Sequence, residues 1–204
     1  MKKPSLSLLL LCCLAAVNAR AVTLDALQQR FAAQPVVRAH FEQQRGISGI
    51  ARPLHSSGEL LIARQYGLWW QQQQPFLLTL ILNDGKMVQI TGNQPPEVVT
   101  AAGNPQMFRF NHLLRALFQA DRAVLEQNFT LEFTDKGQEN WQLALVPKTS
   151  PLDKLFTSIT LSGQTYLDHI LLLDKQGDST AITFSRQRTQ PEVLTHDERQ
   201  RFVQ

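Results

Sequence analysis

Cysteine is nearly absent from this chain, and its two cysteines, Cys12 and Cys13, lie together near the N-terminus. Both fall within residues 1–21, which have the layout of a secretory signal and are expected to be removed on export. Residues 22–204 then contain no thiol, which excludes a disulfide framework, a cysteine nucleophile and a cysteine-based metal site. The five histidines are scattered without metal-binding spacing, so we expect no metal site and no cofactor.

Long apolar runs are also missing, apart from one run at Leu6–Val17. Two lysines precede this run, and Ala19-Arg20-Ala21 follows it as an A-x-A cleavage site, with a second cleavage position after Ala19. The run is shorter than the roughly 20 residues that a membrane-spanning helix needs. The pattern predicts a cleaved signal peptide over residues 1–21 and a soluble, periplasmic chain over residues 22–204.

Neither sign of charge is in excess once this segment is removed. The whole chain has 20 basic and 17 acidic residues, a formal net charge of +3. Residues 1–21 include three of the basic residues and no acidic residue, so residues 22–204 are neutral. A neutral chain has no global attraction to nucleic acid, which we exclude as a partner, or to anionic membranes. No Gly/Ser linker or repeat divides residues 22–204, which predicts a single domain.

A catalytic motif is not found either. Residues 46–50 read GISGI, which resembles a nucleophile elbow but lacks the glycine two residues after the serine. The flanking patterns are those of β-strands, whereas a nucleophile elbow joins a strand to a helix. We therefore interpret this segment as a loop and expect a protein that is not an enzyme.

The pattern that dominates the chain is the alternation typical of β-strands. A short helix is predicted over Leu24–Ala33, with Thr23 as its N-cap, and the alternation begins at Val36. Asn83-Asp84-Gly85 marks a hairpin between two such strands. Residues 166–173 are more continuously apolar than the other strands, which predicts a strand covered on both faces.

A longer helix interrupts the strands midway along the chain. Asn104-Pro105 has the pattern of an N-cap followed by the first helical position, and the helix is predicted to run to Ala120. A second helical turn is predicted over Arg122–Gln127. A sheet of nine to eleven antiparallel strands has to curl. The sequence therefore predicts a mainly β fold, an incomplete antiparallel β-barrel whose opening is covered by a helical lid.

The most informative stretch is 58–75, which reads GELLIARQYGLWWQQQQP. Because side chains alternate along a strand, Leu60, Ile62 and Arg64 are expected on one face. A guanidinium among apolar side chains must either reach water at an edge or find acceptors on another element. The adjacent tryptophans 69 and 70 face opposite ways, so at most one of them lines an interior.

This stretch resembles the strand pair that carries the arginine–tryptophan signature of the LolA family of periplasmic lipoprotein carriers. The matching residues are Gly58, Glu59, Leu60, Arg64, Trp70 and Pro75. The order of the predicted elements, with a helical lid inserted between two sets of strands, is also similar to the fold of that family. Two departures are Gln65, where the family has proline, and the C-terminus, where the family's final strand is shortened or missing.

The resemblance implies a carrier that holds the acyl chains of lipoproteins in a hydrophobic cavity and moves them from the inner to the outer membrane. Its partners would be the acylated cargo, the inner-membrane export machinery and an outer-membrane receptor, and we expect a monomer. The resemblance also implies that Arg64 latches the lid. The residues expected in the cavity and lid are Leu60, Ile62, Trp70, Met107, Phe110, Leu114, Leu117 and Phe118.

Two alternatives remain open at this point. The cargo of such a carrier can be a glycolipid or another acylated envelope molecule in place of a lipoprotein. A different class of protein, a periplasmic sensor or interaction domain, can use the same fold to bind a lipid or a protein. For Arg64, the alternative to a latch is an edge arginine that reaches water.

Overall fold

The computed structural model describes residues 21–83, 86–100, 102–103, 116–118 and 121–203. Within these residues, eleven strands form one antiparallel sheet, accompanied by four short helices, and residues 116–118 are also helical. The strands are β1 (Val36–Gly46), β2 (Leu54–Ala63), β3 (Gly67–Gln74), β4 (Leu78–Leu82), β5 (Lys86–Thr91), β6 (Glu97–Thr100), β7 (Phe129–Gly137), β8 (Asn140–Pro147), β9 (Phe156–Gly163), β10 (Leu167–Asp174) and β11 (Ser179–Arg188). The helices are α1 (Leu24–Ala32), α2 (Arg122–Asn128), α3 (Leu152–Leu155) and α4 (His196–Gln200).

The sheet consists of two antiparallel meanders that meet at a central seam. Strands β1 to β6 pair in chain order in one half and β7 to β11 in the other, and β1 pairs with β11 at the seam. Strands β6 and β7 form the two edges of the described sheet, which is therefore not closed. The predicted mainly β fold, an incomplete antiparallel barrel of nine to eleven strands, is confirmed. The predicted lid falls mostly on residues 104–115, outside the described part of the chain.

The local predictions around the sheet are also confirmed. Helix α1 is one residue shorter than predicted, and the Thr23 Oγ1 accepts a hydrogen bond from the Ala26 N–H at 3.2 Å. Strands β4 and β5 pair as the predicted hairpin, although residues 84–85 of its turn are not described. The second helical turn is α2, where the Asp121 side chain accepts from the Val124 N–H at 3.3 Å.

One face of the sheet curls around a large apolar core. Helix α1 packs Leu27 and Phe31 into this core, and the Phe31 ring meets Trp141 edge to face at 5.9 Å between centroids. The same cluster includes Leu82 from one half of the sheet and Phe129 from the far edge of the other. Such distant strands share one core because sheets twist and curl. Each large apolar side chain buried in this core contributes about 1.5–3 kcal/mol to stability.

A second, smaller core lies on the outer face of the sheet. It is covered by residues 189–203, which we call the strap, and which contribute Leu194 and Phe202. The sheet residues beneath the strap are Val36, Leu61, Ala63, Trp69, Ile81 and Val88. Trp69 therefore belongs to the outer core and Trp70 packs against the concave core, so the two indoles do face opposite ways.

A buried ion pair fastens the strap to the sheet. The Arg38 Nε and Nη2 groups donate to the two carboxylate oxygens of Glu198 at 2.5 and 2.8 Å. The remaining Arg38 donors reach the backbone carbonyls of Pro191 at 2.9 Å and Val193 at 3.2 Å. Glu198 also closes a capping box with Thr195 at the start of α4. One arginine of β1 thus holds both the backbone and the helix of the strap.

The Arg38 guanidinium lowers the pKa of Glu198 to about 2, from an ordinary value of 4.5, because it donates hydrogen bonds to the carboxylate. The Thr195 N–H lowers this pKa further, while burial of the charge opposes the shift. A carboxylate whose pKa is lower in the folded protein stabilises the fold above its unfolded pKa. This contribution, on the order of 3 kcal/mol, is then lost as the pH falls from about 4.5 through about 2.

We therefore expect the free energy of unfolding to decrease between about pH 5 and about pH 2 more steeply in the wild type than in Glu198→Gln. The amide does not titrate, so the variant lacks this part of the pH dependence. Urea denaturation of both proteins across this range measures the difference. Parallel pH profiles would contradict the role assigned to the Arg38–Glu198 pair.

The prediction that residues 166–173 form a strand covered on both faces is wrong. In β10, Leu167 and Ile170 are buried in the concave core, but Leu171 and Leu173 are 39% and 38% exposed. The reason is the position of the strap, whose apolar contacts lie over β1 to β5. The outer face of β10 has no comparable cover among the described residues.

Candidate functional site

A cavity of about 250 Å³ lies on the concave face, at the seam between the two halves of the sheet. We call it the seam cavity. It is bounded by α1, by β1 and β2 on one side of the seam, and by β10 and β11 on the other. Its apolar lining residues are Phe31, Ala32, Val37, Leu60, Ile62, Phe118, Leu167 and Phe184. Its polar lining residues are Gln28, Gln34, Arg64, Asp121, Tyr166 and Gln187.

The alternation of the central strands places the apolar side chains in this cavity. Val37 on β1 lies opposite Ile62 on β2, and two residues further along Ala39 lies opposite Leu60. Because successive side chains point to opposite faces, each of these pairs faces the concave side. Strands β1 and β2 therefore present apolar side chains beside the seam, where the register of β1 and β11 is interrupted between Arg38 and His40.

An aromatic cluster backs the cavity wall. The Phe184 ring lies 5.6 Å from the Phe118 ring and 6.3 Å from Trp70, both in edge-to-face geometry. Trp70 in turn stacks on Phe41 with ring centroids 3.8 Å apart. Trp70 does not line the cavity itself but supports Phe184, which does. Aromatic contacts of this kind stabilise a wall by about 0.5–1.5 kcal/mol beyond the burial of area.

Arg64 lies in the turn directly after β2 and lines the seam cavity together with Leu60 and Ile62, the two residues predicted to share its face. The residue is exposed, and its backbone N–H donates to the Pro35 carbonyl at 3.0 Å. Among the described residues, its guanidinium has no hydrogen bond or ion pair. The latch role stays a prediction, because residues 104–115 of the predicted lid are not described.

Among the described residues, some polar side chains of the cavity lining have hydrogen-bond partners and others have none. The Gln187 amide donates to the Leu167 carbonyl at 3.1 Å and to Asp168 at 2.8 Å. In the described part of the chain, the side chains of Gln28, Gln34 and Tyr166 have no such partners.

Helix α2 holds Asp121 beside the cavity. The Asp121 carboxylate caps this helix by accepting a hydrogen bond from the Val124 N–H. The next residue, Arg122, donates a hydrogen bond of 2.9 Å to the Asp25 carboxylate of α1 and so links the two helices. Arg122 also donates to Glu126 at 2.7 Å, and the hydrogen bonds that its guanidinium donates to Glu126 and Asp25 raise its pKa. Asp121 is thus fixed in place by the end of a helix that is anchored to the neighbouring helix.

The structure brings together part of the predicted cavity and lid set. Leu60, Ile62, Arg64 and Phe118 line the seam cavity, and Leu117 is buried in the concave core. The other predicted lid residues, Met107, Phe110 and Leu114, lie outside the described residues. Sequence reasoning did not assign Phe31, Val37, Leu167 and Phe184 to the cavity. The signals were present in the helical stripe of α1 and in the strand alternation, but neither pattern indicates which strands meet at a seam.

A second cavity, of about 310 Å³, lies on the outer face. It is lined by Trp69, Gln71, Thr79, Ile81, Ile90 and Arg201. The Arg201 guanidinium lies over the Trp69 ring at 4.5 Å from its centroid and covers this aromatic face. The outer cavity therefore offers a ligand less apolar surface than the seam cavity does.

Among the described residues, no group of three or more histidine, cysteine, aspartate or glutamate side chains is arranged to hold a metal ion. None of the helices in those ranges combines the length and apolar character needed to cross a membrane.

The sequence matches the family described as outer membrane lipoprotein carrier protein LolA-like over residues 16–188. The chain therefore belongs to the LolA-like family, as its arginine–tryptophan stretch predicts. No curated protein matches the sequence at a significant level.

Solved structures with a similar fold include a LolA superfamily protein from Nitrosomonas europaea, 9% identical, which aligns over 87% of this chain and 97% of that chain with a TM-score of 0.47. A domain from Vibrio parahaemolyticus named for outer membrane lipoprotein sorting is 11% identical, with 87% and 96% covered and a TM-score of 0.48. A DUF1329 family protein from Desulfovibrio piger is 10% identical, with 85% and 95% covered and a TM-score of 0.45. At such low identity the family membership rests on the sequence match.

Proposed function

We propose that this protein is a non-enzymatic periplasmic carrier that holds the acyl chains of lipoproteins in the seam cavity and moves them from the inner to the outer membrane. The observation that supports this proposal is a cavity with an apolar wall on the concave face of an open sheet, in a chain of the LolA-like family. Affinity comes from burying methylene groups, at about 0.8 kcal/mol each. Such a cavity binds chains and places few demands on the rest of the cargo.

Release of the cargo is driven either by opening the lid or by handing the chain over to a receptor. In this proposal the helical lid over residues 104–120 closes the seam cavity, and Arg64 latches the lid by donating hydrogen bonds to backbone carbonyls that lack partners at helix ends. The carrier works as a monomer, receives cargo from the inner-membrane export machinery and delivers it to an outer-membrane receptor. The exposed position of Arg64 beside the cavity supports the latch.

Purified protein is expected to bind a fluorescent fatty-acyl probe stoichiometrically and displaceably, and Ile62→Glu is expected to weaken this binding at least about tenfold. Ile62 is half-buried and lines the seam cavity, so a carboxylate there has to be desolvated beside the bound chain. Fluorescence titration of lipid-free protein measures both affinities.

Ile90→Glu is the matched control for this experiment. Ile90 is also a half-buried isoleucine of the same sheet, but it lines the outer cavity. We expect its substitution to leave probe binding unchanged. A folded, lipid-free wild type that binds no acyl probe, or equal losses in the two variants, would contradict the seam cavity as the cargo site.

A further inference from the structure

One end of the β7–β11 half of the sheet exposes apolar side chains. Strand β8 ends there, β9 begins there after helix α3, and β10 ends beside them. Because Leu145 and Ile170 are buried in the concave core, the residues that follow them, Val146 and Leu171, face outward. The exposed apolar side chains at this end are Val146 (51%), Leu155 (50%), Leu171 (39%) and Leu173 (38%). A group of exposed apolar side chains indicates a contact with a protein or a membrane more often than an isolated one does.

The strand register brings these side chains together. Leu173 lies opposite Ser158 on β9, and Val146 lies at the same level on the next strand, β8. Val146 and Leu173 are therefore two strand spacings apart, about 10 Å. The Lys175 N–H donates to the Leu155 carbonyl at 3.1 Å, which holds α3 beside the end of β10. The exposed apolar side chains thus extend across three adjacent strands and are carried by fixed elements.

Three exposed lysines lie at the same end of the sheet. Lys148 follows β8, Lys154 belongs to α3, and Lys175 follows β10. The ends of three adjacent strands lie within about 10 Å, so the three ammonium groups act on the same region of an approaching surface.

The acidic side chains at this end lie deeper than the lysines. Asp153 and Asp174 are half-buried, and two backbone N–H groups of the β10–β11 turn donate to the Asp174 carboxylate at 2.8 and 2.9 Å. The Asp178 side chain is 12% exposed and pairs with the more exposed Arg45. A surface that approaches this end therefore meets the lysines first, although residues 22–204 as a whole are neutral.

Lysine next to aliphatic side chains fits the surface of an anionic bilayer. The lysine stems can lie along the apolar boundary while the ammonium groups reach lipid phosphates. Each lysine near an anionic bilayer strengthens binding about fivefold. Protein–protein contacts are instead enriched in aromatic residues and arginine and depleted of lysine. The composition of this end therefore favours a bilayer over a protein partner.

We infer that this end of the protein docks reversibly on the surface of a bilayer that contains anionic phospholipids. We call this surface the basic patch, and its residues are Val146, Lys148, Lys154, Leu155, Leu171, Leu173 and Lys175. The apolar side chains enter the head-group region, and the ammonium groups bind the phosphates.

The basic patch is separate from the cargo site. Leu167, at the start of β10, lines the seam cavity, and Lys175 lies about 25 Å of strand away from it. Docking therefore brings the carrier to a membrane and leaves the seam cavity at the other end of the strands. The inference adds a membrane contact to the proposed function and does not depend on the identity of the cargo.

Co-sedimentation with vesicles tests the inference. Lipid-free protein is mixed with sucrose-loaded vesicles of phosphatidylcholine, with or without phosphatidylglycerol, and the bound fraction is measured at increasing lipid concentration. We expect the partition coefficient to be at least about tenfold higher for the vesicles with phosphatidylglycerol, because three lysines contribute. Raising the ionic strength from about 0.1 M to about 1 M should remove most of this difference, since the Debye length decreases from about 10 Å to about 3 Å.

A charge reversal tests the lysines. Lys154→Glu is expected to lower the partition coefficient for anionic vesicles at least about tenfold, because it removes one attraction and adds a repulsion. Lys136→Glu is the matched control with the same change in net charge. Lys136 is also exposed but lies near the end of β7, at the opposite end of the sheet. We expect the control to bind the vesicles as the wild type does.

A polar substitution tests the apolar side chains. Leu155→Ser is expected to lower the partition coefficient for anionic vesicles about fivefold, because less apolar surface leaves water on docking. Val193→Ser is the control, because Val193 is 71% exposed but lies in the strap. All four substitutions are at exposed positions, so melting temperatures close to that of the wild type are expected.

The outcomes separate this inference from the proposed function. Equal partition onto the two kinds of vesicle, or equal effects of Lys154→Glu and Lys136→Glu, would overturn the basic patch. A protein that stays in the supernatant with both kinds of vesicle would also overturn it, as expected if this end contacts a protein. Binding of the acyl probe without vesicles is a separate measurement, and we expect all four variants to match the wild type. Failure of the probe to bind would contradict the carrier function and leave the membrane contact in place.

Discussion

Replacing Arg38 with methionine is expected to lower the free energy of unfolding by about 3–5 kcal/mol, the usual cost of removing one partner from a buried ion pair. The Arg38 and Glu198 side chains are only 7% and 11% exposed. Methionine fills much of the space but donates no hydrogen bonds. The variant leaves the Glu198 carboxylate without its charged partner and the carbonyls of Pro191 and Val193 without their donors.

The first structural consequence of this substitution is expected in the strap. The strap contributes Leu194 and Phe202 to the outer core. The Phe202 ring also packs against the Tyr66 ring, with 5.7 Å between the ring centroids. Once the strap is no longer fastened to β1, it can detach locally before the sheet unfolds. Hydrogen exchange of strap amides should therefore accelerate more than exchange of the central strands.

Arg45→Met is the matched control for this prediction. Arg45 lies on the same strand and also pairs with a carboxylate, that of Asp178 at 3.6 Å, but its side chain is 52% exposed. Exposed pairs contribute about 0–1 kcal/mol, so this variant should unfold nearly as the wild type does. Urea denaturation compares the three proteins, and similar small losses in both variants would show that the Arg38 pair does not hold the strap.

A double variant distinguishes the cost of an unpaired buried charge from the cost of losing the strap's cover over the apolar outer face. Arg38→Met combined with Glu198→Leu removes both buried charges and leaves no carboxylate without a partner. Apolar replacements of whole buried pairs are often neutral or stabilising. We expect the double variant to recover most of the stability lost in Arg38→Met, minus the capping contribution of Glu198 at Thr195, which is about 1 kcal/mol.

The strap was not predictable from the sequence, for a physical reason. Arg38 and Glu198 are 160 positions apart, and nothing in the alternation around Arg38 distinguishes a side chain that reaches water from one that meets a partner. The same limit explains the error at β10. A continuous apolar run indicates that both faces of a strand are apolar, but whether the outer face is covered depends on where a distant segment lies.

The concave face was predictable because local periodicity determines it. Alternation predicted that Leu60 and Ile62 share one face, and both line the seam cavity. The seam was not predictable, because the pairing of β1 with β11 joins strands that are far apart in the chain. Leu167 and Phe184 line the cavity because this strand pairing brings β10 and β11 next to β1.

Arg64→Leu is expected to yield a protein that folds and binds cargo but releases it to acceptor vesicles at least about tenfold more slowly, which corresponds to about 1.4 kcal/mol. If Arg64 latches the lid, leucine removes donors whose hydrogen bonds contribute roughly 1.5–3 kcal/mol each, and the lid equilibrium shifts toward the open state. The new side chain also extends the apolar surface of Leu60 and Ile62. Cargo should then bind at least as well and leave more slowly.

The measurement is the dissociation rate of a bound acyl probe, with and without acceptor vesicles, together with the melting temperature of each protein. Arg52→Leu is the control, because Arg52 is exposed in the loop that precedes β2, about 30 Å of strand away from Arg64. This control should release the probe at the wild-type rate. An Arg64 that only reaches water behaves like Arg52, since most surface substitutions change stability by less than about 0.5 kcal/mol. Equal release rates and equal melting temperatures for both variants would therefore identify Arg64 as an ordinary surface arginine and leave cargo release without a latch.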